Sequence, residues 1–481
     1  MSSKITTLIL CFCLAGSSVF AQEVWSLEKC IEHAQTNSLA IKRSQLNVSN
    51  AELTEKGSKL ERLPSLNAST SAGYNFGRTI DPSTNVFRNR EIGSNNISIN
   101  AGIILFDGFR INNNVKQAKL DLAAGKADLE DANLTIAVNV AAAYLNILFA
   151  EDQLANANNQ LKQSQDQLQQ TNKLILAGTL PENDRLQLEA QIATNEQAVI
   201  LQENSLEIAY LNLKNLMQLS PDFDLQIERP DVMVPDVSPE EFVFEDLYQQ
   251  SLQTQPIIKA NDLRMQSAVI DEKIARTGMI PRLTAFGNLR SDAATRVSDF
   301  NNPNLDNTYL ELGDELPYQA NGVDILLAPY ELKGVSFPNR SYIDQIRDNF
   351  GQSFGVTLSI PIYNNSVNKI AVERARLNVI STEIANEEVK QQLRADVMRS
   401  IADAKAAKKQ LIATEKSLAA LEANFENNEK RYNLGAINTF EFTSSKNQLD
   451  QARVDYTIAK YDYIYKLVIV DYYRGKKITF K

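Results

Sequence analysis

The sequence has very few of the residues that build metal or catalytic centres. Its 481 residues include one histidine, His33, and three cysteines, two of which lie within the first 21 residues. Without that segment Cys30 is the only cysteine, which excludes an intramolecular disulfide. No short-spaced set of metal ligands, no Ser/His/Asp set and no glycine-rich phosphate loop is present. We therefore expect no metal site, no cofactor and no enzymatic activity.

The chain also lacks an excess of positive charge. It has 49 Lys and Arg against 59 Asp and Glu, for a net charge of −10. A nucleic-acid partner would require a basic face. We expect no nucleic-acid binding.

Beyond the first 21 residues, no apolar run is long enough for a membrane-spanning helix. The most apolar helical run, residues 136–150, is interrupted by Asn139 and Asn146 and is followed by acidic residues. A spanning helix needs about 20 apolar residues. If the mature chain crosses a membrane, it must therefore cross it with strands.

The first residues have the layout of a secretory signal. Lys4 precedes an apolar run over residues 5–14, and small residues lead to Ala21. Such a segment is removed on export. We expect a signal peptide at residues 1–21 and a mature chain that begins at Gln22.

The rest of the chain consists of two copies of an internal repeat. The segment around Gly178 resembles that around Gly435, 257 positions later, and the same offset relates residues 105–120 to residues 362–377. Upstream, Pro64 matches Pro281 at a smaller offset, so the second copy carries about 40 extra residues between 292 and 349. That stretch is rich in Asn, Asp, Pro and Gly and is typical of a long loop.

These matches define the predicted organisation. Each copy has a helix of moderate length, at about residues 26–62 and 244–278, followed by two strands and a hairpin of long helices. A proline-rich linker joins the copies. The predicted boundaries are repeat 1 at 22–218 (strands 65–76 and 96–106, hairpin 107–218), the linker at 219–240, and repeat 2 at 241–481 (strands 281–290 and 351–362, hairpin 364–474).

The predicted hairpins contain very long helices. Residues 109–177 and 365–434 contain no proline, and a helix of that length would extend about 100 Å. Apolar residues recur every seven positions, which indicates antiparallel coiled coils with the two glycines at their tips. The first helix has Val140, Ile147, Leu154, Leu161, Leu168 and Ile175, and its counterpart has Val397, Ala404, Leu411, Leu418, Phe425 and Tyr432.

The rest of the long-helix surface is rich in Gln and Asn, as in residues 156–170. A water-filled conduit would have such a wall, but the solvated outside of an ordinary coiled coil has the same polarity. The composition does not decide between them.

The four strands alternate between apolar and small or polar residues, which matches a barrel wall between lipid and water. Four strands per chain are too few to close a barrel, and an open edge in lipid leaves backbone groups unpaired. Two chains would give eight strands and a filled interior, whereas three would give twelve and leave room for a pore. The arithmetic favours a homotrimer.

In these features the chain resembles the TolC family of outer-membrane channel-tunnels over nearly all of the mature sequence. The motifs that carry the resemblance are the doubled halves, Arg431-Tyr432-Asn433-Leu434-Gly435 followed by Asn447-Gln448-Leu449, and the turns Leu105-Phe106-Asp107-Gly108 and Ile360-Pro361-Ile362-Tyr363. The resemblance implies a mostly helical fold, with a periplasmic helical barrel continued by a shared twelve-strand β-barrel in outer-membrane lipid. It also implies passive conduction of substrates from an inner-membrane pump and a periplasmic adaptor, for efflux or type I secretion.

The resemblance implies that the hairpin tips contact the adaptor. The tip residues are Leu176, Gly178, Thr179, Leu180, Leu434, Gly435, Ala436 and Ile437. Glycine at a helix end also has a local explanation, since a positive φ costs it little. That rule leaves the exposed apolar neighbours unexplained.

Two acids mark a possible constriction. Asp184 and Glu441 each lie six residues after a tip glycine, and the resemblance implies acidic gating residues there. A threefold axis would gather six carboxylates into a ring. An acid in the first turn of a helix is also stabilised by the helix dipole without any pore. The chain departs from the family pattern at two positions: Ile437 stands where a basic residue is familiar, and Ser444 stands where a second acid is familiar. We therefore expect the network of contacts in its closed state to differ from that of the family.

The alternative function is structural: a periplasm-spanning coiled-coil tether with a barrel anchor and no transport. It predicts a single anchor at one terminus. The presence of strand pairs in both halves favours the channel.

Overall fold

The structure is a computed structural model that describes residues 24–81, 85–178, 180–230, 238–314, 316–320, 323–327 and 330–478. The predicted signal segment, Thr179 and part of the predicted linker lie outside the described residues. The chain divides into two compact units. A helical unit comprises residues 1–55, 116–270 and 376–481, and a sheet unit comprises residues 56–115 and 271–375.

Helices account for most of the described chain. In chain order they are α1 (Leu27–Asn37), α2 (Leu39–Leu60), α3 (Arg110–Leu176), α4 (Glu182–Met217), α5 (Phe244–Thr254), α6 (Pro256–Thr277), α7 (Tyr342–Asp348), α8 (Val367–Asn433) and α9 (Thr439–Tyr473).

The strands belong to the sheet unit. They are β1 (Ser65–Asn75), β2 (Arg78–Ile80), β3 (Phe87–Asn89), β4 (Ile92–Phe106), β5 (Arg282–Ala294), β6 (Tyr309–Leu312), β7 (Leu316–Ala320), β8 (Val323–Leu327), β9 (Tyr330–Lys333) and β10 (Gly351–Ser359).

The long helices α3 and α8 each have 67 residues. The moderate helices differ from the prediction, because each is broken in two. Gln255 has an extended ψ of 118° before Pro256, whose ring disfavours a helical conformation in the residue before it. Ser38 interrupts the other helix with a ψ of 131°. Single helices over 26–62 and 244–278 were therefore the wrong expectation.

The helical unit packs around the middle of α3. In its largest apolar cluster, α3 contacts α1, α4 and α9, and Val140, Tyr144, Ile147 and Leu148 are fully buried. Burial of a large apolar side chain contributes about 1.5–3 kcal/mol. The Tyr144 hydroxyl donates to the backbone oxygens of Trp25 and Glu228, so its polar atom is satisfied inside the cluster.

By length and apolar composition alone, α3 is the one helix in the described part of the chain that could cross a membrane. The interrupted apolar run in the sequence had predicted no such helix. The apolar residues of α3 around 136–150 belong to the cluster just described. Packing against α1, α4 and α9 therefore explains their composition.

The heptad stripe of α3 is not buried evenly within the chain. Val140 and Ile147 are fully buried, but Leu154, Leu161, Leu168 and Ile175 are only partly buried. Toward the tip the buried positions of α3 are mostly polar: Gln153, Ala157, Ser164, Gln167 and Thr171. Within one chain the apolar stripe is therefore only partly covered over this half of the helix.

The sheet unit contains one antiparallel sheet in the order β1–β4–β5–β10. The register pairs Leu66 with Ala101, Ala101 with Gly287, and Gly287 with Phe354. Paired residues and alternate residues share a face, so each strand contributes to two continuous faces. β1 and β10 are the edge strands of this sheet.

Two expectations for the second copy need correction, one for its last strand and one for its extra segment. β10 ends at Ser359 rather than near residue 362, because Pro361 has no backbone N–H for a strand ladder. The extra segment of the second copy is not simply a loop. It contains the pairs β6–β9 and β7–β8 and the helix α7.

Candidate functional site

The first hairpin tip lies between α3 and α4. Gly178 has a φ of +72°, and its N–H donates to the oxygen of Ile175 at 2.8 Å. A positive φ is strained for other residues, so glycine is required by the backbone of this turn. A Cβ at Gly178 would have no atom within 4 Å, so the surroundings do not require glycine.

The second tip repeats this geometry with more side-chain contacts. Gly435 also has a φ of +72° and open space around it. Asn438 caps α9 by accepting from the Glu441 N–H at 2.8 Å. The rings of Tyr432 and Phe442 stack at 4.5 Å, and Ile437 packs with them.

The predicted tip residues differ in exposure. Leu176 is 89% exposed and Leu434 is 84% exposed, whereas Leu180 is partly buried. Ile437 is only 9% exposed, because its side chain packs in the aromatic cluster. A surface role for Ile437 does not fit this geometry. Thr179 lies outside the described residues.

The two predicted gating acids occupy the first turns of α4 and α9. The Asp184 N–H donates to Pro181, and its side chain is partly buried. Glu441 is exposed, and its carboxylate lies 3.9 Å from the Arg431 guanidinium at the same tip. An exposed pair at this distance contributes little to stability, so Glu441 is held by its capped turn more than by Arg431.

A polar cluster that the sequence analysis missed lies between the two hairpins. The Lys446 ammonium of α9 donates to the Ser164 hydroxyl of α3 at 2.9 Å, and the Asn195 amide of α4 donates to the same oxygen at 2.8 Å. Gln191 donates to the Asn195 oxygen at 3.0 Å. We call Ser164, Asn195, Lys446 and Asp450 the polar seam. All four are less than a tenth exposed.

Burial disfavours charge in this seam. Desolvation lowers the pKa of Lys446, and the negative charge of Asp450 one turn away opposes that shift. Desolvation raises the pKa of Asp450, against the opposing effects of Lys446 and Arg453. The only sequence signal was a Lys and an Asp four residues apart on a helix, which usually marks a solvated face.

One face of the sheet is polar. Ser69 and Ser98 hydroxyls lie 2.8 Å apart, Asn288 donates to Asn100, and the same face continues through β10 as Ser353, Thr357 and Ser359. We call this the polar face. Its groups are mostly uncharged hydroxyls and amides, which can be hydrated without binding one ion strongly.

The opposite face is apolar and remains exposed. We call it the apolar face; its members include Leu66, Ala68, Ile97, Ile99, Ile103, Leu289, Phe354, Val356 and Leu358. Phe354 is 91% exposed. Aromatic residues are exposed at one end of the sheet as Tyr74 and Phe76, and at the other as Phe106, Phe109 and Tyr363. An apolar band between aromatic belts is the pattern of a lipid-facing barrel wall.

Among the described residues, no group of three or more His, Cys, Asp or Glu is placed to hold a metal ion. Cys30 is buried, and desolvation raises the pKa of its thiol to about 12, so it lacks the thiolate character of a reactive cysteine. The candidate functional regions are the exposed tips, the buried polar seam and the two faces of the sheet.

Comparison with known proteins identifies a family for the chain. A family model described as "Outer membrane efflux protein" matches residues 30–217 and 340–468. The matched segments include both tips, the two acids Asp184 and Glu441, and the polar seam.

Several solved structures have the same fold. CusC, whose reported structures concern transmembrane channel formation, has a TM-score of 0.72 at 17% identity over 96% of each chain. VceC from Vibrio cholerae has a TM-score of 0.73 at 14% identity, over 94% of this chain and 97% of that one. The Campylobacter jejuni CmeC outer membrane channel has a TM-score of 0.70 at 15% identity, over 93% and 85%. The predicted TolC-like fold class is therefore confirmed.

A curated relative, an uncharacterized protein of Haemophilus influenzae, is 26% identical over 258 residues. The match covers 53% of this chain and 54% of that protein, so the chain spans about half the length of its relative.

Proposed function

The chain belongs to the outer membrane efflux protein family, and from that premise we propose that it is a passive outer-membrane channel built from three copies. In this proposal each copy contributes four strands to a shared twelve-strand barrel, and its hairpins form a tunnel that extends into the periplasm. Substrates reach the tunnel from an inner-membrane pump through a periplasmic adaptor, in efflux or type I secretion.

The observation that carries the proposal is the sheet. It has an exposed apolar face, a polar face of hydroxyls and amides, and edge strands β1 and β10. In lipid each edge would leave backbone groups without hydrogen bonds, at a cost of several kcal/mol per group. Pairing β10 of one copy with β1 of the next removes both edges at once. Three copies give twelve strands, enough for an open interior lined by the polar face.

The helical unit offers a second surface for association between copies. Leu39, Leu46 and Leu53 of α2 recur every seven residues and are 64–70% exposed, and Leu377 and Ile384 of α8 are more than half exposed at the same spacing. Two exposed heptad stripes on one chain are suited to packing against neighbouring copies as coiled coils. They support an oligomer independently of the strands.

The tips are the surface proposed for the adaptor. Leu176 and Leu434 are exposed apolar residues beside glycines whose surroundings are open. Exposed apolar residues at a turn favour contact with another protein. We include Gly178, Leu180, Gly435 and Ala436 in this surface, with Thr179 by its position in the sequence, and assign Ile437 to packing beneath it.

The acids define the proposed constriction. Three copies of Asp184 and Glu441 would place six carboxylates near one axis, which would favour cations over anions. The α9 cap does not depend on the Glu441 side chain, since Asn438 forms it. Neutralisation of both should therefore change ion selectivity and leave the fold intact.

The mass of the detergent-purified oligomer tests the shared barrel. We expect three chains per particle for the wild type and a smaller trimer fraction for Leu46→Glu with Leu53→Glu, because buried charges would oppose helix packing. Lys42→Glu, on the exposed surface of the same helix, is the control. A wild-type chain that is monomeric and folded would contradict the channel and favour the tether.

Substrate export tests the tips. Gly435→Asp should reduce export in the producing strain at normal protein levels, because it adds a charge to the apolar surface and strains a positive φ. Lys416→Asp, an exposed change on α8, the helix that precedes this tip, should have no effect. Unchanged export by Gly435→Asp would count against tip docking.

A further inference from the structure

The helix α7 lies in the extra segment of the second copy and packs on the apolar face of the sheet. The Ser291 hydroxyl of β5 donates to the Ile346 oxygen at 2.6 Å, and the Tyr342 hydroxyl donates to the Asn95 side chain at 2.8 Å. Asn95 pairs with Ala293 in the register, and Ala293 shares a face with Ser291 and Leu289. All of these contacts are therefore on one side of the sheet.

The helix is fixed to the sheet by several further bonds. The Gln345 side chain is 4% exposed and accepts from the Ala294 N–H at 2.9 Å. Asn349, just after the helix, donates to the Asp292 oxygen at 2.6 Å. Ser291 and Ala293 are buried, whereas Leu289 on the same face is exposed. The helix thus covers the end of the apolar face and leaves the rest of that face open.

The position of α7 coincides with the end of the apolar band. On β4, the residues of this face are Ile103, Ala101, Ile99 and Ile97, and the next residue is Asn95, the partner of Tyr342. If lipid covers the apolar face, lipid tails end near Ile97 and headgroups begin near Asn95. Tyrosine is enriched at this boundary because its ring is apolar and its hydroxyl is polar.

The exposed side chains of α7 and of the residue Phe350 are amphipathic. Ile343 is 76% exposed, Tyr342 is 53% exposed and Phe350, just after the helix, is 55% exposed. Arg347 is also exposed, and its guanidinium lies 2.8 Å from the Asp344 carboxylate. A short helix with apolar residues beside a compensated charge pair is suited to the headgroup layer of a membrane.

We propose that α7 is an interfacial anchor: it lies against the outer-leaflet lipid surface and fixes the depth of the barrel in the membrane. This inference rests on the proposed function, since it needs lipid on the apolar face. The occupant is lipid rather than a second copy because α7 sits on the apolar face over β4 and β5, the two inner strands, and away from the edges where copies would join.

Site-specific fluorescence in vesicles tests the anchor. In a Cys30→Ala background, an environment-sensitive fluorophore is attached at Ile343→Cys, at Leu358→Cys in the apolar face, and at the exposed position Asp306→Cys in the same extra segment. The full-length oligomer is reconstituted into phosphatidylcholine vesicles with a nitroxide quencher on either the headgroup or the acyl chain.

The three positions should give three different patterns. We expect the Ile343→Cys probe to be quenched about twofold more strongly by headgroup nitroxide than by acyl-chain nitroxide, as for an interfacial residue. The Leu358→Cys probe should be quenched mainly by acyl-chain nitroxide, and the Asp306→Cys probe by neither.

The outcomes separate the anchor from the channel. If the Leu358→Cys probe is quenched and the Ile343→Cys probe is not, the anchor is overturned and the barrel stands. A blue-shifted but unquenched Ile343→Cys probe would mean that protein covers α7, which also overturns it. If the Leu358→Cys probe is unquenched, the apolar face is not in lipid, and the proposed barrel fails together with the anchor.

Discussion

The middle of α3 and the half nearer the tip belong to one helix, but they differ in the kind of side chain that they bury. Around Val140 to Leu148 the buried side chains are apolar and come from α1, α3, α4 and α9. From Gln153 to Thr171 the most buried positions are mostly polar, and Ser164 contacts Lys446 of the other hairpin. The same helix therefore has one strongly held region and one weakly held region.

The difference shows where the hairpins are fixed. Apolar burial is non-directional and contributes for every side chain, so the core holds its four helices in place. In the polar seam, the free energy needed to remove the polar groups from water offsets much of the stabilisation that each hydrogen bond contributes. Gln167 and Thr171 each have a buried side-chain atom without a hydrogen-bond partner in the described part of the chain. Separating the helices at the polar seam therefore requires less free energy than separating them at the apolar core. The tips are accordingly held less firmly than the middle of α3.

The largest expected effect is in the core. Leu148→Ala should lower the stability by about 2–5 kcal/mol, because Leu148 is fully buried and the cavity would remain. The matched change in the other region, Leu161→Ala, should cost less than about 1 kcal/mol, since Leu161 is only partly buried within the chain. Thermal unfolding in detergent, followed by circular dichroism, gives both values. Equal losses would remove the distinction between the regions.

Replacement of the buried charged pair should have an effect of the opposite sign. Lys446→Met combined with Asp450→Leu removes both charges that burial disfavours, and we expect a gain of about 1–3 kcal/mol from replacing the whole pair by apolar side chains. Lys430→Met, at an exposed position of α8, is the control and should change little. A strongly destabilised double variant would show that the bond from Lys446 to Ser164 holds the hairpins together.

A smaller gain is expected at Thr171. Its hydroxyl is buried without a partner in the described chain, so Thr171→Val should raise stability by about 1 kcal/mol. Thr414 is the matched control, because its hydroxyl donates to the Gln410 and Leu411 oxygens at 3.0 Å. Thr414→Val should lower stability or leave it unchanged. Both are measured by the shift in unfolding temperature, and the same sign for both changes would refute the explanation.

The smallest effect is a pH dependence. Burial raises the pKa of Asp450, so the folded chain retains a proton that the unfolded chain has lost. This contribution to stability is present at acid pH and is lost as pH rises through the raised pKa. Unfolding temperatures measured from acid to neutral pH should therefore fall less for Asp450→Asn than for the wild type. Asp455→Asn, on the exposed surface of α9, should behave like the wild type.

Periodicity and proline placement predicted the long helices and the alternating strands, because both depend on local sequence. The polar seam could not be predicted in this way, since Ser164 and Lys446 are 282 residues apart and meet only in the folded chain. The burial of Ile437 depends in the same way on the packing of Tyr432 and Phe442. The strands and helix of the extra segment were missed because Asn, Asp, Pro and Gly obscured their short periods.

Single-channel conductance of the purified protein in a planar bilayer tests the central claim most directly. The proposed trimer should give small, cation-selective current steps that change when Asp184→Asn and Glu441→Gln are combined, because six carboxylates would leave the constriction. A correctly folded oligomer that inserts into the bilayer and passes no current would contradict the channel and leave the structural tether as the function.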